Sequence, residues 1–228
     1  MKKLFVIGLL ALSLSTAFAQ NLQLHYDLGK GRSFVTSTVE MFRPDKHGNT
    51  FFFIDMDYGV GEVQGISLAY WELARVFTLP SAPVGWHIEY NGGMGQYYTP
   101  SGNGAYTIHN SWLTGLDYSV NSADFSKGFT LKTLYKYLEN TPDNRPHSYQ
   151  LTAVWYVNFA NNKFTFSGFA DLWRETTPTG KMIFLSEPQL WYNLNANFAM
   201  GGEVELSNHF AGMEGFQIMP TLGLKYTF

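Results

Sequence analysis

Apolar and polar residues alternate along this chain in segments that recur roughly every ten to fifteen residues after residue 19. The clearest segment closes the chain, and one of its faces carries Phe216, Ile218, Pro220, Leu222, Leu224, Tyr226 and Phe228. A period of two residues is typical of a β-strand with one apolar face. A half-buried strand in a soluble protein usually holds this period for about 4 to 8 residues, so a longer segment favours a strand that crosses a membrane at a tilt.

The same period predicts about twelve strands, an even number that places both termini of an antiparallel barrel on the periplasmic side. The predicted ranges are 20–28, 33–42, 50–58, 66–76, 85–92, 107–120, 127–138, 148–159, 163–174, 182–193, 197–208 and 216–228. The fold class is therefore all-β, a transmembrane antiparallel β-barrel. The longest connections, 92–106 and 139–147, are predicted as extracellular loops.

The first residues have the pattern of an export signal. Lys2 and Lys3 precede an apolar run from Leu4 to Leu14, and Ala17-Phe18-Ala19 forms a small-x-small cleavage site. We therefore predict a signal peptide over residues 1–19 and one barrel domain over residues 20–228, located in the bacterial outer membrane. Beyond residue 19 no stretch approaches eighteen consecutive apolar residues, which excludes a helical membrane protein.

The composition of the chain limits the classes of protein and of functional site that it can form. Aromatic residues make up 17% of the chain and charged residues only 14%, against about 25% charged residues in soluble domains. Cysteine is absent, so disulfides, thiolate ligands and thiol nucleophiles are excluded. Without the two leader lysines the formal net charge falls from −3 to −5, which leaves no basic surface for nucleic acid. No motif calls for a cofactor, and we expect none.

If the apolar face meets lipid, the charged residues of the strands face the lumen, because Lys or Arg on the lipid side costs about 2 to 4 kcal/mol at the midplane. The inward set is Asp27, Glu40, Asp55, Asp57, Glu89, Asp117, Lys132, Lys136, Asp171, Glu187, Glu203, Glu205 and Lys225. Its excess of acids predicts a negative lumen that favours cations and neutral polar solutes. The fourth strand is mixed on both faces, and we assign Glu72 to the lumen.

A ring-shaped polar solute needs flat apolar surface beside hydrogen-bonding groups. The predicted pore-lining and substrate-binding residues are Phe53, Asp55, Asp57, Glu89, Lys132, Lys136, Gln150, Tyr156, Phe169, Asp171, Trp173, Glu187, Glu203 and Glu205. The alternative is that acids and lysines pair into an internal network that braces a barrel without an open pore. Twelve strands favour the pore, since larger barrels enclose cavities or channels.

Catalysis has little support in the sequence. His109 and Ser111 are two apart on one predicted strand face, which is too far for a hydrogen bond without another strand. His87 and Glu89 could face one space, but a metal site needs three or four ligands. We therefore predict no catalytic residue and no metal site, with a lipid-modifying enzyme as the weakest alternative.

Three segments carry a resemblance to a known family: Thr50–Tyr58, Ser67–Glu72 and Phe164–Asp171. They resemble the nucleoside-specific channel-forming porins of the Tsx family, and more closely a related group of uncharacterised outer-membrane proteins. The resemblance implies a monomeric twelve-stranded barrel with a narrow pore. Phe228 resembles the final aromatic that the barrel assembly machinery reads in such proteins.

The expected function is an outer-membrane channel for small hydrophilic solutes, with nucleosides among the candidates. A structural or receptor barrel without an open pore is the alternative. The expected partners are outer-membrane lipid, the solute and, through Phe228, the assembly machinery.

Overall fold

The computed structural model describes residues 19–141, 144–174 and 180–228. The predicted signal peptide therefore lies outside the described residues, except for Ala19. The strands are β1 Ala19–Asp27, β2 Val35–Asp45, β3 Gly48–Tyr58, β4 Ile66–Thr78, β5 Gly85–Thr99, β6 Gly102–Asn121, β7 Lys127–Leu138, β8 His147–Phe159, β9 Phe164–Arg174, β10 Met182–Ser186, β11 Gln189–Asn193, β12 Phe198–Asn208 and β13 Phe216–Thr227. No helix among these residues is long and apolar enough to cross a membrane.

Each strand pairs antiparallel with its neighbours in the sequence, and β13 pairs with β1 to close the sheet. β10 and β11 both lie between β9 and β12, so together they form one position in the wall. The result is a closed antiparallel barrel of twelve wall strands, which confirms the predicted fold class. Closure gives every wall position two neighbours, so the barrel has no edge strand.

The register fixes which side chains point inward, because directly opposite residues in an antiparallel pair share a face. Along β5, Trp86 is 48% exposed on the outer face whereas His87 is fully buried on the inner face. Glu72 lies opposite Phe53 on β3 and Asn91 on β5, so its predicted inward placement is confirmed. Large apolar side chains cover the outer face around the wall, as lipid contact requires.

Two prolines interrupt the wall on either side of β12. Pro188 lies at the break between β10 and β11, and Pro220 pairs with Val204 inside β13. Proline has no N–H to donate to a ladder. The lost bonds are partly replaced, because the Val204 N–H donates to the Pro188 carbonyl and the Glu203 N–H donates to the Thr221 hydroxyl. The missing proline donor accounts for the break in the tenth wall strand.

The predicted loop 92–106 is wrong, because the structure continues β5 and β6 through it to a tight turn between Thr99 and Gly102. Glycine normally weakens a strand, which is why the sequence suggested a loop here. In the folded chain the Tyr106 ring covers Gly95 and the Tyr97 ring covers Gly104. A cross-strand aromatic ring that covers a glycine restores the packing that glycine lacks.

One extra residue in β6 changes its alternation. Asn91 pairs with Ser111, whereas Gly93 pairs with Ile108, so two β6 residues oppose one β5 residue. Ile108 and Ser111 therefore share the inner face, and His109 with Asn110 forms the bulge. The expectation that His109 and Ser111 lie on one strand face is wrong, because the bulge changes the alternation between them.

Candidate lumen site

The structure brings the predicted site residues together inside the barrel. The register places thirteen of them on the inner face, and electrostatic interactions with Asp55 and Glu203 place Glu187 there too. Their role in conducting or binding a solute stays a prediction. They divide into two groups of different chemistry. Strands β5–β9 carry the first group, and β3 with the β10–β12 region carries the second.

The first group, the compensated cluster, consists of His87, Glu89, Asn91, Asp117 and Lys132. The Glu89 carboxylate lies 2.9 Å from the His87 Nε2 atom and accepts a hydrogen bond of 3.0 Å from the Asn91 amide. His87 Nδ1 lies 3.6 Å from the Asp117 carboxylate, and Lys132 is directly opposite Asp117 in the register. His87, Glu89 and Asn91 are almost completely buried. Each charge therefore has an opposite charge or a donor beside it.

Lys136 extends the compensated side toward β9. Its ammonium group donates to the Gln150 amide oxygen at 2.9 Å and lies 4.9 Å from the centre of the Trp173 ring. The Gln150 amide donates to the Thr152 hydroxyl, which donates to Asp171 at 2.5 Å. A cation over an indole face is favourable. This relay joins three predicted residues, Lys136, Gln150 and Asp171, in one hydrogen-bonded row through Thr152.

The second group, the acidic cluster, consists of Asp55, Glu187 and Glu203. Glu187 interacts electrostatically with both of the other carboxylates. Asp55 accepts a hydrogen bond of 2.5 Å from Thr38, and Glu203 accepts one of 2.8 Å from Gln189. Like charges repel each other more strongly where water is scarce. The acidic cluster therefore concentrates mutually repelling acidic groups in one part of the lumen.

Two basic groups lie beside the acidic cluster, around Trp191. The Lys225 ammonium group lies 4.2 Å from the Trp191 ring centre, and His25 meets the same ring edge-on at 5.6 Å. The His25 Nδ1 atom is 3.8 Å from the Glu203 carboxylate. Trp191 is fully buried although it faces the lumen. Sequence reasoning missed Trp191, although alternation with the exposed neighbours Leu190 and Tyr192 points Trp191 inward.

An arginine from a loop completes the charges at the extracellular mouth. Arg32 donates to Asp27 at 3.1 Å and to Glu205 at 2.8 Å. Asp57 accepts a hydrogen bond from Thr36 beside them. Sequence reasoning missed Arg32 because a loop has no period that could orient its side chains.

Aromatic surface also faces the lumen. Phe53 and Tyr70 lie with ring centres 6.0 Å apart, and the Tyr70 hydroxyl donates to Glu72 at 2.8 Å. Flat rings beside carboxylates can hold a polar ring-shaped solute weakly, as conduction requires. Across the described ranges, no group of three or more His, Asp or Glu side chains could hold a metal ion.

Comparison with solved structures supports the same fold. The NanC porin superposes with a TM-score of 0.58 at 10% identity, covering 92% of this chain and 100% of that chain. The KdgM porin in complex with disordered oligogalacturonate gives 0.49 at 13% identity, over 92% and 99%. The Acinetobacter baumannii outer membrane protein Omp33 gives 0.44 at 13% identity, over 93% and 98%. At such identities the likeness shows the fold alone.

No curated protein matches the chain by sequence. Nothing in the matches is specific to Tsx-like nucleoside channels, so the comparison supports only the barrel fold that this resemblance implied. One family model matches residues 19–228, nearly the whole chain. The chain therefore belongs to the family described as a domain of unknown function, DUF5020.

Proposed function

We propose that this protein is an outer-membrane channel for small hydrophilic solutes. The observation that carries the proposal is the contrast between the two faces of one closed twelve-stranded wall. The outer face is apolar around the barrel, whereas the inner face carries eleven acids and four basic groups, counting Glu72 and Arg32 with the predicted set. Twelve strands enclose more space than the eight that side chains can fill.

The charge of the lumen selects the class of solute. Acids outnumber basic groups, and low-dielectric walls focus the resulting negative potential. Cations and neutral polar solutes should therefore pass more readily than anions. The aromatic surface of Phe53, Tyr70 and Phe169 favours solutes with a flat ring. Nucleosides fit this description and form the finer candidate within the proposal.

A barrel without conductance is the second candidate, and the compensated cluster is what favours it. His87, Glu89 and Asn91 are almost completely buried on the inner face, so the β5 side of the lumen is packed with side chains. Such packing braces a barrel from within. The two candidates differ in whether the space beside the acidic cluster is continuous from mouth to periplasm.

Single-channel recording on the refolded protein tests the proposal. Stepwise currents with preference for K⁺ over Cl⁻ are expected, and absence of steps from protein that is folded by circular dichroism would eliminate the channel. Liposome swelling with nucleosides, neutral sugars and amino acids would then rank the solutes. Equal swelling rates for adenosine and for a sugar of similar size would remove the nucleoside candidate.

A pair of neighbouring substitutions tests the outer-membrane orientation. Leu131 is outward and Lys132 is inward on β7. Leu131→Arg should reduce membrane assembly, because a lipid-facing Arg costs about 2 to 4 kcal/mol near the midplane. Lys132→Glu keeps its charge in the lumen but removes the cation opposite Asp117, so it should reduce assembly less than Leu131→Arg does. Heat-dependent gel mobility of the membrane fraction measures both, and equal, mild effects would contradict the assignment of faces.

A further inference from the structure

The β5–β6 hairpin rises above its neighbours on the extracellular side. Pairing of β5 with β4 reaches Leu68 and Gly95, and pairing of β6 with β7 begins at Ser111 and Leu138. The hairpin tip, residues 96–105, therefore has no sheet partner on either side among the described strands. It is still regularly paired between its own two strands up to Thr99 and Gly102.

Two tyrosines form a platform on the side of this hairpin that faces the barrel axis. β5 contains no extra residue, so the alternation that points Glu89 and Asn91 inward continues through Gly95 to Tyr97. Tyr106 lies opposite Gly95 and shares that face. The ring centres of Tyr97 and Tyr106 are 6.4 Å apart with an interplanar angle of 31°. The two rings therefore form neighbouring faces, tilted by 31° to each other, above the mouth.

Glycines hold these rings in place. A Cβ atom at Gly95 would overlap the Tyr106 ring, and one at Gly104 would overlap the Tyr97 ring. Each ring thus lies across the backbone of the opposite strand, in the arrangement by which aromatic residues stabilise glycines in a sheet. Both tyrosines remain about half exposed, at 50% for Tyr97 and 46% for Tyr106. Rings fixed in this way lose little conformational entropy when a ligand stacks on them.

The hairpin carries no charge. Residues 90–116 contain no Asp, Glu, Lys or Arg, although acids dominate the lumen below. A hydroxyl group accompanies the rings instead, because Thr99 continues the alternation of Tyr97 on the same face. A surface of this kind complements a neutral ligand with apolar ring faces and hydroxyl edges. A pyranose sugar has this structure, and two rings side by side offer a face to each of two linked sugars.

We propose that Tyr97 and Tyr106 form a binding surface for neutral oligosaccharides at the extracellular mouth. The inference rests on the proposed channel function, because the platform faces the axis along which a solute would enter. It names the class of solute that the mouth collects, neutral saccharides, which the acidic lumen would not repel. Stacking on aromatic rings is weak for each ring, so the surface can capture a solute and release it inward.

Binding of maltopentaose to the full chain in detergent micelles, measured by isothermal titration calorimetry, tests the inference. Tyr97→Ala and Tyr106→Ala should each weaken binding by roughly tenfold at most, with a larger loss in the double variant. Tyr98→Ala is the matched control, because Tyr98 is 51% exposed on the opposite face of the same strand. Tyr97→Phe, which keeps the ring, should bind as the wild type does.

Equal losses from Tyr98→Ala and Tyr97→Ala, or no binding of maltopentaose by the wild type, would overturn the inference. Tighter binding of adenosine than of maltopentaose, lost in Tyr97→Ala, would overturn the saccharide assignment in favour of a nucleobase. Channel recordings separate this outcome from the fate of the proposed function. Currents without saccharide binding would leave the channel standing, whereas binding at the platform without currents would eliminate the channel and leave a receptor surface.

Discussion

The two charged clusters of the lumen differ in how their carboxylates are balanced. In the compensated cluster, Glu89 meets His87 at 2.9 Å and the Asn91 amide at 3.0 Å. In the acidic cluster, Glu187 has other carboxylates as its electrostatic neighbours. Both clusters face the same lumen of one barrel. The difference teaches that one part of the inner wall stabilises the barrel while the other retains a negative field.

A buried charge is costly unless it is paired and hydrogen-bonded. The compensated cluster meets this requirement on β5, β6 and β7, where three strands contribute its members. The acidic cluster accepts repulsion between carboxylates, which a barrel without solute traffic has no reason to keep. Uncompensated acids in a lumen are consistent with a role in attracting cations.

The largest expected effect is on stability and distinguishes the clusters directly. His87→Leu leaves Glu89 buried without the hydrogen-bonding partner at 2.9 Å and should lower the free energy of unfolding by about 3 kcal/mol. Glu187→Gln removes one of several repelling charges and should raise it by about 1 kcal/mol. Urea unfolding in detergent micelles measures both. Changes of the same sign would show that the two clusters do not differ as described.

Substitutions of charged residues in the two clusters should change ion selectivity in opposite directions. Glu203→Gln should reduce the K⁺ to Cl⁻ permeability ratio by a factor of roughly 5, because a unit charge at about 4 Å contributes about 1 kcal/mol in water. Lys132→Glu should increase the ratio. Reversal potentials across a salt gradient report the ratio, with Thr133→Ser, on the outer face, as the control. A K⁺ to Cl⁻ permeability ratio that stays the same in both inward variants would place the ion path elsewhere.

A smaller change is expected at the mouth, where Arg32 joins Asp27 and Glu205. Arg32→Gln removes the cation that neutralises both carboxylates, so cation conductance should rise. The expected factor is smaller than the factor by which Glu203→Gln changes the permeability ratio. Salt screens charges near the surface within about 10 Å at 0.1 M. The rise should therefore shrink between 0.1 M and 1 M KCl. An unchanged conductance at low salt would show that Arg32 lies off the ion path.

The smallest effect concerns a periplasmic turn outside both clusters. Hydrogen bonds from the Ser122 hydroxyl and from the Ser126 N–H and hydroxyl lower the pKa of Asp124 to about 2. A carboxyl group whose pKa is lowered on folding stabilises the fold at pH values above its ordinary pKa. That contribution is lost as the pH falls through about 2. In Ser126→Ala the Asp124 pKa should rise toward its ordinary range. Carbon-detected NMR titration measures the shift, and an unchanged pKa would mean that Ser126 does not hold the carboxylate.

The sequence predicted some parts of the molecule well because strand period and face are local properties. The ranges found for β7 and β9 agree with the predicted ranges within one residue. The charged residues of the inward set face the lumen, whereas Arg75 on β4 lies on the outer face opposite Ile88. The β5–β6 hairpin was missed because the glycines that suggest a loop are covered by tyrosines from the opposite strand. Such cross-strand pairs depend on register, which the sequence does not display.

By itself the sequence determined the barrel, the number of its wall strands and the sign of charge in its lumen, since these follow from alternation and composition. The tertiary structure alone decided which charges meet. The pairing of Glu89 with His87, the clustering of Asp55 with Glu187, the reach of Arg32 to Glu205 and the platform of Tyr97 with Tyr106 all join residues through strand register or loop conformation. The physical reason is that a period specifies the face of each strand but not the height at which neighbouring strands align.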